Sequence, residues 1–280
     1  MNRTALYITT ILATATLTGC FDRPRTTESL CEKHPEICQD TNLRDSQCRL
    51  PRTHLIWQRY DVLNTPSDLE KFKELKLTYD YQECLEYAAL IEPREEKERK
   101  SRRTQALINA YTAIERLLQE LSDSTEPEIL YFRWGQGDHK ALDQFLSKEG
   151  LPEMETPEIQ FALASIYSAK DQDKTIRLLN HALELYSPDQ PIKQEIIQSL
   201  ATHAHQRGQS QQAFLWGRVG IELGMAVSST EKLNAFYPMD DALRMHLEKQ
   251  AVEIAKAIKQ GRYREDMSIP APLPEPELAS

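Results

Sequence analysis

The sequence predicts an all-α protein whose second half is an array of helical hairpins. Three observations predict it. Only nine glycines occur in 280 residues, and strong helix formers are abundant. Apolar residues recur at three- and four-residue spacing within the segments described below. Those segments are punctuated by helix start and stop signals, with Pro near the first turn and Gly or Pro after the last.

The first element lies outside the fold. Residues 1–19, "MNRTALYITTILATATLTG", carry one arginine, no acid, and an apolar, Thr-rich run from Ala5 to Leu17. That is secretory signal architecture, too short to span a bilayer. The run closes on Leu17-Thr18-Gly19-Cys20, which resembles the bacterial lipobox. The resemblance implies cleavage before Cys20, with an S-diacylglycerol group and an N-acyl chain (palmitate-type lipid) on that cysteine and no other cofactor. A plainly secreted chain with a cysteine at this place is the alternative. Each buried CH₂ contributes about 0.8 kcal/mol, so three acyl chains exceed what stable anchoring takes. Position 21 is Phe, where an Asp would imply inner-membrane retention. By the same resemblance the chain is an outer-membrane lipoprotein on the periplasmic side. Residues 20–30 then read as a lipid-anchored tether.

Composition narrows the remainder. Loss of residues 1–19 removes one positive charge, taking the formal net charge from −9 to −10. An acidic chain lacks the basic surface that phosphate backbones require, which argues against nucleic acid as a partner. Beyond Cys20 four cysteines remain, Cys31, Cys38, Cys48 and Cys84, an even number that reads as two disulfides in an exported protein. Three pairings are possible and the sequence does not choose among them. The favoured one joins Cys31 to Cys38 across "EKHPEI" and Cys48 to Cys84 across a helical hairpin. The C-x₆-C spacing is not that of a zinc knuckle, no C-x-x-C occurs, and no metal ligand set is assigned.

Residues 31–125 read as a disulfide-containing helical segment. "TPSDLEKFKEL" offers Thr65 as N-cap, Pro66 at the first helical position and Asp68 near the third, with Leu69, Phe72 and Leu75 following. That helix carries Cys84 toward its end, before Pro93. A second long helix spans 94–122, with a core stripe of Leu107, Tyr111, Ile114, Leu118 and Leu121. Its first part, "REEKERKSRR", has six Arg/Lys against three Glu. Glu95–Arg99, Glu96–Lys100 and Glu98–Arg102 have the favourable i,i+4 orientation of a solvated face; the functional alternative is a contact for anionic lipid or an acidic partner.

From residue 126 the pattern changes to paired short helices. "ETPEIQFALASIYSAKDQDKTIRLLNHALELYSPDQP" reads helix, polar turn, helix, proline stop, and "PIKQEIIQSLATHAHQRGQSQQAFLWGRVGIELG" repeats the plan. Small residues recur where paired helices would cross: Ala201, Ala204, Gly208, Ala213 and Gly220 in the later unit, Ala164, Thr175 and Ala182 in the earlier. A half-match, "YFRWGQGDHKALDQFL", precedes them, and Ala141, Thr175 and Ala213 stand 34 and 38 residues apart. This pattern resembles, with drift, the tetratricopeptide repeat, implying a tetratricopeptide-like α-solenoid over 126–262. A helix over 239–260, with Leu243, Leu247, Ala251, Ile254 and Ile258, would cap its open end. Residues 263–280 read as a Pro-rich, extended tail. Trp57, Trp134 and Trp216 read as core anchors.

No catalytic constellation stands out. G-x-S-x-G, H-E-x-x-H and the P-loop motif do not occur. "GQGD", residues 135–138, reads as an inter-helix turn. His203 and His205 are two apart on a helix, so they project about 200° from each other and cannot share an ion. Asp240 and Asp241 complement a helix N-terminus. Recognition remains. The repeat resemblance implies groove-facing positions at Arg133, then Phe161, Ser165 and Ser168, then Gln198, Thr202 and His205. The layout also resembles an uncharacterised family of Gram-negative lipoproteins. The expectation is a non-enzymatic protein–protein interaction scaffold or assembly factor for an envelope protein or peptide. The alternative is an envelope enzyme or a binder of a cell-wall or lipid fragment.

Overall fold

The computed structural model describes residues 26–92, 97–226 and 228–270, all helix, turn and loop, with no strand among the described residues. The chain divides into two units between Glu120 and Leu121, a few residues before the expected boundary. Leu17–Cys20, where the lipobox resemblance falls, Glu95, Glu96 and residues 271–280 lie outside the described residues.

The first unit comprises α1 (Thr27–Lys33), a 3₁₀ turn (Pro35–Ile37), α2 (Arg49–Asn64), α3 (Asp68–Leu90) and α4 (Lys97–Glu120). Its start corrects the expected tether. Thr26 and Ser29 exchange side-chain and backbone hydrogen bonds as a capping box, so helix already begins at Thr27. Leu30 is buried with Ile37, Cys38 and Ile56. The disulfides are Cys31–Cys38 and Cys48–Cys84, with Cα separations of 5.6 and 5.7 Å. The second ties the start of α2 to α3, across the helical hairpin.

The cap of α3 is Ser67, not Thr65. Ser67 Oγ accepts from the Glu70 N–H at 3.1 Å, while Thr65 closes the preceding helix. The Thr65 hydroxyl instead donates to Asp61 O at 3.0 Å, finishing α2. Phe72 and Leu75 are buried as expected, whereas Leu69 is exposed.

In α4 the core stripe also differs. Ala106, Ala110, Ala113, Ile114, Leu117 and Leu121 are buried, while Tyr111 is exposed and Leu107 and Leu118 are intermediate. Ala106 and Ala110 pack with Tyr81, Leu85 and Ala88 of α3. The helices meet through alanines, so counting only large apolar residues puts the stripe one position off. Arg103, expected on the basic surface, turns inward instead.

The second unit contains α5 (Pro127–Gly135), α6 (His139–Ser147), α7 (Pro157–Tyr167), α8 (Gln172–Glu184), α9 (Gln194–Gln206), α10 (Ser210–Glu222), α11 (Thr230–Phe236) and α12 (Asp241–Lys259). Pro127 and Pro157 occupy first-turn positions, where the missing N–H leaves no helical bond unmade. Asp138, Thr156, Asp171 and Asp240 cap α6, α7, α8 and α12 through side-chain oxygens. α5 packs with α6, α7 with α8 and α9 with α10. Two of the inter-helix turns close alike. Gly137 and Gly208 take positive φ, and the next residue donates back to Arg133 O and Ala204 O respectively. The turn between α7 and α8 is shorter and does without glycine.

Ala141, Thr175 and Ala213, the equivalent positions of the sequence pattern, are all fully buried at helix starts. One core joins Leu179 and Leu183 of α8, Ile196, Ile197 and Leu200 of α9, Trp216 of α10 and Ile254 of α12. Trp216 is thus a core anchor, while Trp57 and Trp134 are half-buried at the edges of smaller clusters. Two features depart from expectation. The seven-residue α11 had no counterpart in the sequence reading, and the expected extended tail begins too early. Tyr263 is buried, its hydroxyl donates to Asn180 Oδ1 at 2.6 Å, and a 3₁₀ turn follows at Glu265–Ser268.

Candidate functional site

In the second unit, α9, α10 and α11 enclose a groove of about 470 Å³. One face of α9 forms the first wall. Gln198, Ala201, Thr202 and His205 follow the i, i+3, i+4, i+7 rhythm that aligns side chains on one helix stripe. Ala213 and Gly217 of α10 lie at the floor, and Leu233, Phe236 and Tyr237 bring the opposite wall from α11.

The small floor residues allow α11 to approach. A Cβ on Gly217 would stand 2.7 Å from Leu233 Cδ2, closer than carbon atoms tolerate, so the leucine would have to move. Ser229 caps α11 by accepting from the Lys232 N–H, and Arg218 of α10 donates to Thr230 Oγ1 at 2.7 Å. Leu233 packs with Phe214 and Leu247. The wall is therefore pinned at its start and its middle.

Across the groove, the Tyr237 hydroxyl and His205 Nδ1 are 3.0 Å apart, and their rings meet edge-on at 5.8 Å. Partial burial raises the Tyr237 pKa, so its hydroxyl keeps its proton at neutral pH. Phe236 is 73% exposed. The groove thus offers an aromatic rim, an aliphatic floor and a few neutral hydrogen-bonding groups, Gln198, Thr202, Ser228 and Tyr237. No Asp, Glu, Lys or Arg stands among the described lining residues. Such a surface can hold an extended segment by apolar contact and orient it by hydrogen bonds; it holds no carboxylate for proton transfer.

Of the residues expected to face a groove, Gln198, Thr202 and His205 line this one. The other four do not. Arg133 donates to Ser124 O at 3.2 Å and to Asp138 Oδ2 at 2.6 Å, tying the α5–α6 turn together. Phe161 packs on the core beneath Lys193 Nζ, 4.8 Å from its ring centroid. Ser165 and Ser168 are exposed and donate to carbonyls one turn back. The α11 residues were missed because seven residues give too short a period to detect. The available signal was Ser229 as a cap, followed by Leu233, Phe236 and Tyr237 at helical spacing.

His203 and His205 part as their spacing requires. His203 is buried with Nδ1 unpartnered, and desolvation, assisted by Arg207, lowers its pKa; His205 is exposed on the groove. Among the described residues no three His, Cys, Asp or Glu side chains converge as a metal set, and no helix is long and apolar enough to cross a membrane.

Two clefts in the first unit have a different character. One, of about 310 Å³, is lined by the 38–44 loop with Arg102, Gln105 and Asn109. The other, of about 410 Å³, lies by Thr27, Leu43, Leu50 and Arg52. One lining side chain of each is committed to the loop: Asn109 donates to Asp40 O at 2.9 Å and Arg52 to Asp45 O at 2.7 Å.

Comparison with other proteins adds a family without an activity. No curated protein and no solved structure gives a match. A family model covers residues 17–218, from Leu17 to Arg218 of α10, stopping before the α11 wall of the groove. With most of its length inside that match, the chain belongs to the family described as "Protein of unknown function (DUF2989)".

Proposed function

We propose that this protein is a lipid-anchored, periplasm-facing outer-membrane lipoprotein that acts as a tetratricopeptide-like scaffold, docking a segment of an envelope protein in the α9–α11 groove. The observation that carries the reading is the convergence of Gln198, Thr202 and His205 with Phe236 and Tyr237 around one groove. The first three were singled out from the repeat pattern alone. Buried small residues at Ala141, Thr175 and Ala213, 34 and 38 residues apart, support the repeat reading. The anchor rests on Leu17–Cys20, all of which fall within the family match. Binding is favoured over chemistry because the groove lining has no ionised acid or nucleophilic cysteine.

Two measurements test it. Mass spectrometry of the membrane-fraction protein is expected to find three acyl chains on Cys20; an unmodified cysteine there removes the anchor. A photo-crosslinking residue in place of Phe236, used in intact cells, is expected to capture one defined envelope protein. The same probe in place of exposed Leu63 should not. Equal capture from both positions, or from neither, overturns the scaffold. The groove volume also lies within the roughly 300–1,000 Å³ of small-ligand sites. This favours, as a second reading, a cell-wall or lipid fragment, which native mass spectrometry of protein taken gently from membranes would retain.

A further inference from the structure

We infer that the chain carries its own ligand for this groove: the segment Ala271–Ser280, "APLPEPELAS", docks along the α9 wall and against Phe236 and Tyr237, in competition with any external partner. The inference rests on the groove being a docking site, and adds its regulation.

Four observations carry it. The first is where the described chain leads. Gln212 of α10 donates to Ser268 O at 3.4 Å, and Gln250 of α12 donates to Met267 O at 2.9 Å and Ile269 O at 2.7 Å. Residues 267–269 are therefore held against the same helix that floors the groove, at a residue adjacent to the lining Ala213. The second is reach. Ten residues at about 3.1 Å each span roughly 31 Å when extended, and the α9 stripe from Gln198 to His205 is about 10 Å long at 1.5 Å per residue.

The third is conformation. Prolines stand at 270, 272, 274 and 276, so Ile269, Ala271, Leu273 and Glu275 each precede one. Pre-proline residues are driven to extended geometry, and the prolines fix their own φ. A proline at every second position suits polyproline II, the form that aromatic-lined grooves take up with little entropic loss. The fourth is complementarity. Pro272, Leu273 and Pro274 offer apolar surface to the aromatic rim and aliphatic floor, and the carbonyls of a proline run, left free by the missing N–H groups, suit the Gln198 amide and Tyr237 hydroxyl. Glu275 and Glu277 make the segment acidic. In a chain of formal net charge −9, no carboxylate stands among the described lining residues of this groove to repel them.

The experiment uses the full mature chain at high dilution, with p-benzoylphenylalanine replacing Phe236. Photolysis and peptide mapping are expected to give an intramolecular link to residues 271–280, lost when that segment is replaced by a Gly/Ser stretch of equal length. A tethered segment acts at about millimolar effective concentration, so free APLPEPELAS peptide should displace it only near that concentration. Hydrogen exchange supplies the second reading: amides of α11 are expected to exchange faster in the Gly/Ser variant and to slow again when peptide is added. Links that never fall in 271–280, or that join two molecules in a concentration-dependent way, overturn the inference, as does α11 exchange unchanged by the replacement. Its failure is separable from that of the scaffold. An envelope protein captured in cells without any link to 271–280 leaves docking intact and removes self-occupancy. A link to 271–280, with nothing captured even by the Gly/Ser variant, does the reverse.

Discussion

The two units of this protein bury different chemistry. The first encloses Asp45, Arg52, Arg59, Glu74 and Arg103, whereas among the described residues of the second no Asp, Glu, Lys or Arg is buried. The cause lies in the loop between Cys38 and Cys48. "QDTNLRDSQ" has a single large apolar residue, Leu43, and that one is exposed. A loop that cannot be held by apolar burial must have its polar groups met from elsewhere, since an unmet buried carbonyl or carboxylate costs about 1–3 kcal/mol. Three guanidinium groups meet them. Arg52 donates to the Asn42 and Asp45 carbonyls, and Arg59 bonds Asp40 through both oxygens, Ile37 O and Glu74. Arg103 grips Asp45 through two nitrogens, at 2.5 and 3.3 Å, and Ala88 O at 3.0 Å. Arginine's planar fork of five donors suits this work in a way that lysine's ammonium does not. Two disulfides complete the staple. The second unit instead buries aliphatic and aromatic side chains of α8, α9, α10 and α12 against one another.

The largest effects should expose that contrast directly. Arg103→Met leaves the Asp45 carboxylate buried without its partner, and breaking such a pair costs about 3–5 kcal/mol. Trp216→Ala empties the core of the second unit at a similar cost of about 3–5 kcal/mol. Hydrogen exchange followed peptide by peptide should show protection falling only before residue 121 in the first variant and only after it in the second. Loss spread evenly over both units would deny that they are stabilised independently.

Next comes the long disulfide. Cys48→Ser with Cys84→Ser opens a loop of 36 residues' separation, which the chain-entropy account puts at about 3–4 kcal/mol. Reductant, which also opens Cys31–Cys38, should give at least this effect in the wild-type chain and leave the second unit's transition unmoved. A smaller change tests the start of α3. Ser67→Ala is expected to destabilise by about 1 kcal/mol as a lost N-cap, and Thr65→Ala by less than about 0.5 kcal/mol; the reverse order in denaturant titrations would restore the cap to Thr65.

The smallest effect is a difference in acid response. Burial pushes the Asp45 carboxyl upward, but Arg103, the Gln47 N–H and Arg99 outweigh it, and its pKa ends below 3.8. Its stabilisation is complete above that value and fades as pH falls through the lower, folded-state pKa. His203 is held below 6.5 by desolvation and by Arg207. The unfolded chain therefore binds the proton first, and the second unit begins to lose stability once pH drops under about 6.5. Between pH 7 and 5 the second unit should weaken while the Asp45 contribution stays intact, and His203→Gln should flatten that slope. An unchanged slope would put the acid response elsewhere.

Legibility followed the same division. Alternating hairpins, proline starts, the Asp240 cap and the buried Ala141, Thr175 and Ala213 were readable, because helix period and turn chemistry are local. The groove was half readable. Helix period alone puts Gln198, Thr202 and His205 on one stripe of α9, but Phe236 ends a seven-residue helix and Tyr237 follows it, and the position of that helix depends on how closely Leu233 can approach Gly217. Arg133 was misplaced for a related reason: sequence shows that it is on α5, not that Asp138 and Ser124 O are waiting for it.

By itself the sequence determined the helical class and the disulfide-capable cysteines, since helix period and cysteine count act over a few residues and need no partner. Only tertiary structure decided which way Arg103 turns, which alanines of α4 meet α3, and that α11 closes a groove against α9. Each of these depends on groups far apart in the chain, through desolvation and close packing, and neither has a local period to read.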